Sequence, residues 1–337
     1  MNIRRYTDSD KPAWDAFVRA SKNGTFLFER DYMDYHRARF ADHSLMCLDD
    51  KDRLVALLPA NEVERDGARH LYSHQGLTYG GFVLSTRNTM EQVMALFDET
   101  EGYLRREGFA AWHYKQMPTI YHQCPSEEDE YALWRHGATL EGCNISCTVP
   151  LSGTPQQPPF ERRRRRGVVR AEEAGYQLVG DARLEVFWPI MVNNLRERYD
   201  ASPVHSLDEM QLLQSRFPQH IQCFLCVDAK GEAQAGAVVF LANRMTVHVQ
   251  YGHATPQGKA DGALDLLYSQ LMERYRSQGF QYFDFGTSNE QGGRVLNESL
   301  IAQKEGFGGR GIAYKTYLIP IDYSTFALAK VDDMKGF

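Results

Sequence analysis

The sequence predicts a mixed α/β protein of two tandem domains, each with a central sheet flanked by helices. The two halves end alike, because a Gly-Phe pair, a strand, a helix, a glycine and a closing strand follow one another in both. The matching glycines are Gly108 with Gly279 and Gly137 with Gly306. Each pair is about 170 residues apart, a spacing typical of a duplicated domain. A length of 337 residues suits two domains of ordinary size.

Hydrophobic periodicity predicts the elements of the first half. Val93, Leu96, Phe97 and Leu104 recur at helical spacing, and polar turns separate short runs that suit strands. We expect helices at Lys11–Ala20, Thr89–Glu107 and Glu127–His136, and strands at Ser44–Leu48, Leu54–Val63, His70–Val83, Ala110–Met117 and Asn144–Leu151.

The second half repeats this order. Ser206 and Glu209 form a capping-box pattern at the start of a helix, Leu207–Arg216. The third and fourth strands of this half are separated by a helix, which predicts one parallel crossover. The remaining helices are expected at Leu184–Arg198, Gly262–Gln278 and Leu296–Lys304, and the strands at Ile221–Val227, Gln234–Leu241, Met245–Ala254, Tyr282–Gly286 and Ile312–Ile321.

A proline-rich stretch, Ser152–Pro159, has the composition of a linker between the domains. We therefore expect an N-terminal domain over residues 1–150, a Pro- and Arg-rich linker over 151–167 and a C-terminal domain over 168–337. The five adjacent arginines Arg162–Arg166 either begin a solvated helix or bind phosphate, such as the backbone of a tRNA. On a helix they point all round, so only two or three can face one ligand.

The composition is that of a globular protein, with 43% hydrophobic and 24% charged residues. A formal net charge of −6 argues against general coating of nucleic acid. We expect a cytoplasmic protein without a membrane-spanning segment, since no apolar run approaches the roughly 20 residues that cross a bilayer. Cys223 and Cys226 lie three apart in a strand-like run and so face opposite ways, which predicts buried thiols and no metal site.

The last part of the chain carries the most distinctive motifs. Tyr282–Gly286, Gln303–Gly309 and Tyr314–Tyr317 resemble the strand, glycine turn and closing aromatic strand of the FemAB-like branch of tandem GNAT acyltransferases. The resemblance implies two GNAT-fold domains and transfer of an acyl or aminoacyl group to an amine of a peptidoglycan or polysaccharide precursor. It also implies no tightly bound cofactor, because the donor, aminoacyl-tRNA or acyl-CoA, is itself a substrate.

GNAT proteins that use acetyl-CoA bind it at a glycine-rich loop ahead of a helix. The corresponding stretch resembles that loop at Gln257, Gly258 and Gly262, which are the expected donor-binding residues. Backbone N–H groups at a helix N-terminus are suited to a pyrophosphate. Ala260 replaces the first glycine of the loop, and Asp261 adds a negative charge, so the sequence leaves both CoA and aminoacyl-tRNA open as donors.

In this fold the acyl group lies where two parallel strands part, here Met245–Ala254 and Tyr282–Gly286. Asp284 is either a general base or anchor for the amine, or a carboxylate that pins the following loop. His253 is either a base or an incidental loop histidine. Backbone N–H groups near Gln250 are the expected oxyanion donors. Further candidate ligands at this edge are Gln250, Tyr251, Thr287, Ser288 and Asn289.

Lys304 is the predicted catalytic cation, since the family's lysine stands in the equivalent turn. It binds the phosphate or carbonyl of the donor, or it only complements the carbonyl end of its helix. Asn297 caps that helix or contacts a ligand, and Arg310 is a candidate anion ligand.

The expected wall of the acceptor cleft comes from a glycine-rich polar stretch, Ser73–Gly81, which includes His74, Gln75 and Tyr79. The alternative is a bulge or bend packed against the other copy of the repeat. Arg198 and His205 either close the same cleft or belong to a solvated face.

These patterns predict an acyl- or aminoacyltransferase whose second half carries the chemistry. The expected acceptor is a nucleotide- or lipid-linked sugar or peptide of the cell envelope. Two alternatives are an acetyl-CoA-dependent N-acetyltransferase of an amino sugar or small amine, and a non-catalytic binding protein that has kept the fold.

Overall fold

The computed structural model describes residues 1–152, 160–199 and 201–322, without the side chains of 198 and 199. The chain divides into two compact units. Unit 1 comprises Met1–Asn144 and the chain from Ala313 onward, and unit 2 comprises Ile145–Ile312. The predicted mixed α/β class is confirmed.

Unit 1 begins with alternating short strands and helices. Its helices are α1 (Lys11–Ala20), α2 (Arg30–Met33), α3 (Met90–Arg106) and α4 (Glu128–Arg135). Its strands are β1 (Asn2–Arg5), β2 (Ala41–Asp42), β3 (Leu45–Leu48), β4 (Leu54–Leu58), β5 (Asn61–Arg65), β6 (Ala68–Tyr72), β7 (Val83–Leu84) and β8 (Phe109–Lys115), and the chain then enters β9 (Thr139–Pro150).

Unit 2 contains the helices of the second half and most of its strands. Its helices are α5 (Arg162–Glu173), α6 (Leu184–Tyr199), α7 (Leu207–Arg216), α8 (Pro256–Asp261), α9 (Ala263–Ser277) and α10 (Glu298–Glu305). Its strands are β10 (Gln177–Val179), β11 (Ile221–Val227), β12 (Ala233–Leu241), β13 (Thr246–Ala254), β14 (Tyr282–Thr287), β15 (Asn289–Glu290) and β16 (Val295–Leu296), and the chain then enters β17 (Arg310–Pro320).

Two sheets build unit 1. One has the strand order β1-β3-β4-β7 and is antiparallel, and the other has the order β17-β8-β6-β5-β2. Within the second, only β6 and β8 run parallel. The fully buried Phe97 of α3 packs on Trp112 and Tyr114 of β8, so the apolar stripe predicted for this helix faces the core.

Unit 2 has a sheet of order β10-β11-β12-β13-β14-β9, in which only β13 and β14 run parallel. Its core lies between this sheet and α9, where Tyr268 and Tyr275 contact Phe283. Phe283 and Phe285 share the core face, so Asp284 points to the other face, as strand alternation predicts.

The strands β13 and β14 part, as the sequence predicts. They pair from Thr246 with Tyr282 to His248 with Asp284, and beyond that pair β13 continues to Ala254 without β14 beside it. Two parallel strands that separate leave a notch at their carboxyl ends, where ligands commonly bind.

The unit boundaries differ from the predicted domains because the closing strands exchange. The second part of β9, from the first half of the chain, pairs with β14 in unit 2, and the second part of β17 pairs with β8 in unit 1. The predicted linker 151–167 is also too long, since α5 begins at Arg162 and packs on α9. Residues 153–159 of that linker lie outside the described residues.

One predicted strand is wrong in its middle. His70–Val83 reaches from the second part of β6 to the start of β7, but the polar stretch between these strands is an irregular loop. Lys115 holds this loop by donating hydrogen bonds to the carbonyls of His74 and Leu77.

None of the helices in the described ranges is long and apolar enough to cross a membrane.

Candidate functional site

Asp284 occupies the last paired position before β13 and β14 part, and its carboxylate is fully buried. The hydroxyls of Ser146 and Thr148, both on β9, donate to its Oδ1, the second over 2.8 Å. Its Oδ2 lies 2.8 Å from Nδ1 of His248. A buried carboxylate needs such donors. The carboxylate of Asp284 is therefore enclosed by Ser146, Thr148 and His248, an environment that differs from that of the predicted direct general base.

His248 is a functional candidate that the sequence analysis missed. It stands directly opposite Asp284 on β13, and a carboxylate so placed accepts the Nδ1 proton and fixes the ring. Gly286 has a φ of 74°, and a Cβ there would lie 3.2 Å from the His248 ring. The sequence could in principle have revealed His248, because the parallel register of β13 and β14 places it opposite Asp284.

Lys304 holds the chain that leaves β14. Its Nζ donates to the carbonyls of Gly286 and Thr287 and to Oγ of Ser288, each within 2.9 Å. These bonds use the three donors of an ammonium group. Burial lowers the pKa of Lys304 to about 8, although Asp284 raises it. Lys304 thus positions the loop beside the Asp284–His248 pair.

The stability of the protein is expected to rise with pH through the titration of Lys304. Its pKa falls from 10.5 to about 8 in the fold, so between these values the unfolded state holds a proton that the folded state lacks. Stability therefore increases as pH rises through this window and is lost as it falls back. A neutral amine still donates to two carbonyls and accepts from Ser288.

Urea unfolding across that pH range tests this expectation with Lys304→Met. The wild type should gain stability relative to this variant as pH rises. Lys230 lies in an exposed turn, so Lys230→Met serves as the matched control and should follow the wild type. Parallel curves for wild type and Lys304→Met would show that the buried lysine does not titrate as described.

A cavity of about 230 Å³ opens at the N-terminus of α9. The predicted donor residues Gly258 and Gly262 line it, together with Gly252 and His253 at the end of β13. Gly262 is the N-cap of α9 and supplies no side-chain cap, so the first N–H groups of the helix lack intrahelical partners. A helix N-terminus of this kind suits a phosphate.

Arginines from α5 border the same cavity. Arg163 and Arg164 line it, in agreement with the expectation that only two or three of Arg162–Arg166 face one ligand. Arg164 donates to Asp265 over 2.8 Å, whereas the exposed Arg163 side chain forms no hydrogen bond or ion pair with any described residue. Arg163 thus adds a positive charge to the phosphate-suited end of α9, where the Asp265 carboxylate also lies.

Gln257, by contrast, turns away from the cavity. Its amide donates to Asp261 over 2.8 Å on the exposed side of α8, and it is absent from the cavity lining. The carboxylate of Asp261 thus accepts hydrogen bonds from Gln257 and from the hydroxyl of Tyr176, which stabilise its negative charge.

A β-bulge lies on β13 at Gln250. Tyr251 is opposite Val238 and Val249 is opposite Val239, so Gln250 is the extra residue. The extra residue of a bulge is unpaired in the ladder. The predicted oxyanion donors near Gln250 therefore coincide with an irregularity in the β12–β13 ladder.

Tyr251 and His205 form a buried pair in unit 2. The Tyr251 hydroxyl lies 2.7 Å from Nδ1 of His205, and Trp188 of α6 packs edge-on against the Tyr251 ring. Neither side chain is exposed, so both support the parting strand in this structure rather than forming an open wall. The side chain of Arg198, predicted beside them, lies outside the described part of the chain.

His253 faces the cavity and not the Asp284–His248 pair. Its Nδ1 lies 3.2 Å from Oδ1 of Asn194, and burial, with Lys259 nearby, lowers its pKa to about 4. A histidine neutral at pH 7 with so low a pKa is a poor proton acceptor. This environment disfavours the predicted role of His253 as a base.

The residues after β14 have structural partners. Ser288 is buried and bonded by Lys304, and the side chain of Asn289 accepts from the backbone N–H of Ile145. Asn297 caps α10 by accepting from Leu300. Thr287 and Arg310 are exposed, and Arg310 donates to the carbonyl of Gly309.

The three predicted acceptor residues of unit 1 are mostly enclosed. Tyr79 is buried, with its hydroxyl 3.2 Å from that of Thr25, and His74 is buried with a φ of 54°. Gln75 is exposed, and its side chain accepts from Asn61. Tyr79 is therefore a core residue of unit 1, which contradicts its predicted place on an open wall.

Comparisons with known proteins agree with this geometry. Residues 160–292 match the family described as "Acetyltransferase (GNAT) domain". The structure of FemX superposes with a TM-score of 0.71 and 15% identity, covering 97% of this chain and 99% of that one. The structure of L-PGS from Bacillus licheniformis superposes with a TM-score of 0.57 and 13% identity, covering 98% and 97%. A sequence search of curated proteins returned no match.

The family match covers most of unit 2, including the bulge, the parting of β13 and β14, and the cavity lining apart from Leu300 and Gln303. The structural matches extend the likeness in fold to nearly the whole chain. Residues 160–292 thus match an acetyltransferase (GNAT) domain, and nearly the whole chain shares its fold with FemX.

Proposed function

We propose that unit 2 transfers an acyl or aminoacyl group from a phosphate-bearing donor to an amine. The observation that carries this proposal is the parting of β13 and β14 directly after the His248–Asp284 pair. The donor's phosphates lie at the N-terminus of α9, and its acyl end reaches the parting. The amine approaches from the face on which Asp284 and His248 lie.

The reaction needs a proton acceptor and a donor for the oxyanion. Because Asp284 engages Nδ1 of His248, proton exchange takes place at Nε2. His248 takes the proton of the attacking amine as its nitrogen bonds to the acyl carbon, and the buried carboxylate stabilises the imidazolium that forms. When the ester or thioester bond of the donor breaks, the imidazolium returns the proton to the oxygen or sulfur that leaves. Backbone N–H groups at the Gln250 bulge stabilise the oxyanion, and one such donor is worth roughly 2.7–4 kcal/mol.

The donor is an acyl-CoA or an aminoacyl-tRNA. Both bring phosphates to the cavity, where Arg163 and the first turn of α9 supply positive charge. Arg164 is half-buried, whereas Arg162, Arg165 and Arg166 are exposed. A row of exposed arginines suits the extended backbone of a tRNA more than a single CoA.

The acceptor is a nucleotide- or lipid-linked sugar or peptide of the cell envelope. This choice is supported by the likeness in fold to FemX and to L-PGS, each of which covers nearly the whole chain. The proposal places this reaction in the cytoplasm. Participation of unit 1 in acceptor binding, through His74 and Gln75, stays part of the proposal.

A second candidate is an acetyl-CoA-dependent N-acetyltransferase of an amino sugar or small amine. The observation that favours it is the presence of Gly258 and Gly262 in the cavity, in the positions of the CoA loop. Gly262 has a φ of 86°, a backbone conformation that glycine adopts without strain.

Two donors and two acceptors distinguish these functions. Acetyl-CoA and a mixture of charged tRNAs are each incubated with a UDP-linked muramyl peptide bearing a free amine and with glucosamine, and products are read by mass spectrometry. An aminoacylated peptide supports the first function, and acetylated glucosamine supports the second. Arg163→Gln should weaken donor binding in either case. Donor and acceptor binding without any product would identify a non-catalytic binding protein and overturn both.

A further inference from the structure

A second cavity lies within unit 1, where α3 begins. Its volume is about 380 Å³, which is within the range of roughly 300–1,000 Å³ that is usual for small-molecule sites. Its lining residues all lie between Phe17 and Gln92, so the cavity belongs to unit 1 alone. The transferase reaction proposed for unit 2 makes no use of it.

Arginine side chains give this cavity a positive charge. Arg53 and Arg87 line it together with one carboxylate, that of Asp49. Asp49 accepts a hydrogen bond from Nε of Arg53 over 2.7 Å, so these two charges offset each other. The side chain of Arg87 is exposed and forms no hydrogen bond or ion pair with any described residue. The guanidinium of Arg87 is therefore available to an anion.

The amide of Asn88 is a second feature that points to a ligand. This side chain lines the cavity and is only 9% exposed, yet it forms no hydrogen bond within the described part of the chain. Its Oδ1 is enclosed and unsatisfied, and leaving such a buried group without a partner costs free energy. A half-turn of the amide exchanges Oδ1 and Nδ2, so a ligand in the cavity can meet either an acceptor or a donor.

The helix and the apolar wall of the cavity complete the site. Helix α3 has 17 residues, and the positive end of its dipole lies at its N-terminus, where it favours an anion. Glu91, in the first turn, is exposed and does not line the cavity. Phe17, Leu54 and Val55 form the apolar wall, and the ring of Phe17 contacts no other aromatic ring among the described residues.

The place of this cavity within the repeat agrees with these features. Helix α3 lies between the parallel strands β6 and β8 in the chain, as α9 lies between β13 and β14. Each helix begins at a cavity that an exposed arginine lines, Arg87 in unit 1 and Arg163 in unit 2. Both copies of the repeat thus combine a helix N-terminus with a cation and a cavity.

We propose that the cavity of unit 1 binds a nucleoside phosphate. The phosphate lies against Arg87 at the N-terminus of α3, and the base stacks on the ring of Phe17. The amide of Asn88 pairs with the edge of the base, because an amide offers a donor and an acceptor side by side. The proposal concerns binding alone and does not depend on the transferase centre proposed for unit 2.

Isothermal titration of the full-length protein tests the site with AMP and UMP, their nucleosides and inorganic phosphate. At least one nucleotide should bind more tightly than its nucleoside and than phosphate, because only a nucleotide engages both Arg87 and Asn88. Arg87→Gln should weaken that nucleotide about tenfold, and the exposed position of Arg87 leaves the core intact. Arg106 is also exposed and lies in the last turn of α3, so Arg106→Gln is the matched control and should bind like the wild type.

Further variants distinguish this cavity from the donor cavity of unit 2, which also suits a phosphate. Arg163→Gln should keep the nucleotide site of unit 1. Asn88→Asp, which adds a negative charge to a side chain of nearly the same shape, should lose most of the affinity. Loss of nucleotide binding in Arg163→Gln together with full binding by Arg87→Gln would assign the ligand to unit 2 and overturn the proposal. Equal affinity for nucleotide and inorganic phosphate, or no binding of either nucleotide, would overturn it as well.

Discussion

Replacing His248 by glutamine is expected to lower the rate of amine acylation by a factor between about 10² and 10⁴, the usual contribution of a positioned proton acceptor. His248 Nδ1 is held by the buried Asp284, so the imidazole is oriented before the amine arrives. Glutamine fills similar space but cannot take up the proton. The measurement is the initial rate with the donor and acceptor identified by mass spectrometry.

Asp284→Asn should lose nearly as much activity for a different reason. An amide donates as well as accepts, so it can leave His248 with the proton on Nε2, where the lone pair is needed. The comparable change in a Ser-His-Asp triad has an effect of about 10⁴. Donor binding should persist in both variants, because neither residue lines the cavity.

His220→Gln is the matched control for these variants. His220 also lies in unit 2 and has its Nδ1 engaged, but by the carbonyl of Leu241, far along the chain from the parting strands. It should keep full activity. Added imidazole should partly restore activity to His248→Ala, which a merely structural histidine would not allow. Retention of half the wild-type rate by His248→Gln would remove it from the mechanism.

The sequence predicts the elements of this fold well because each has its own periodicity. Helix α1 and helix α7 match their predicted bounds, and β11 does as well. The exchange of closing strands was not predictable in the same way. The alternation of β9 or β17 requires a neighbouring strand and a buried face, but it does not specify which unit supplies them.

Two motifs of the sequence supplied candidate residues that lie close to each other in the structure. Asp284 and Lys304 lie together in unit 2, since the carbonyls that Lys304 bonds follow Asp284 by a few residues. His248 was missed because it is one of several polar residues in an alternating strand. Only the register of β13 against β14 distinguishes it from its neighbours. Tyr79 was misplaced because a glycine-rich polar stretch is equally typical of an exposed wall and of a packed loop.

Gly262→Ala is expected to damage both the stability of unit 2 and its donor cavity. Gly262 has a φ of 86°, and a Cβ there would overlap the carbonyl of Gly167 in α5. The left-handed conformation alone disfavours alanine by roughly 1–2 kcal/mol. The overlap adds to this, because α5 must move away from α9 and carries Arg163 and Arg164 with it. Donor affinity should therefore fall at least tenfold, about 1.4 kcal/mol.

Gly279→Ala separates the two contributions. Gly279 follows α9 at its other end with a φ of 89°, and a Cβ there would meet nothing within 4 Å. It should show only the conformational loss in urea unfolding and should bind the donor like the wild type. The difference in unfolding free energy between the two variants then measures the close contact of α5 with the N-terminus of α9. Equal losses in the two, with donor affinity unchanged in Gly262→Ala, would mean that this contact does not shape the cavity.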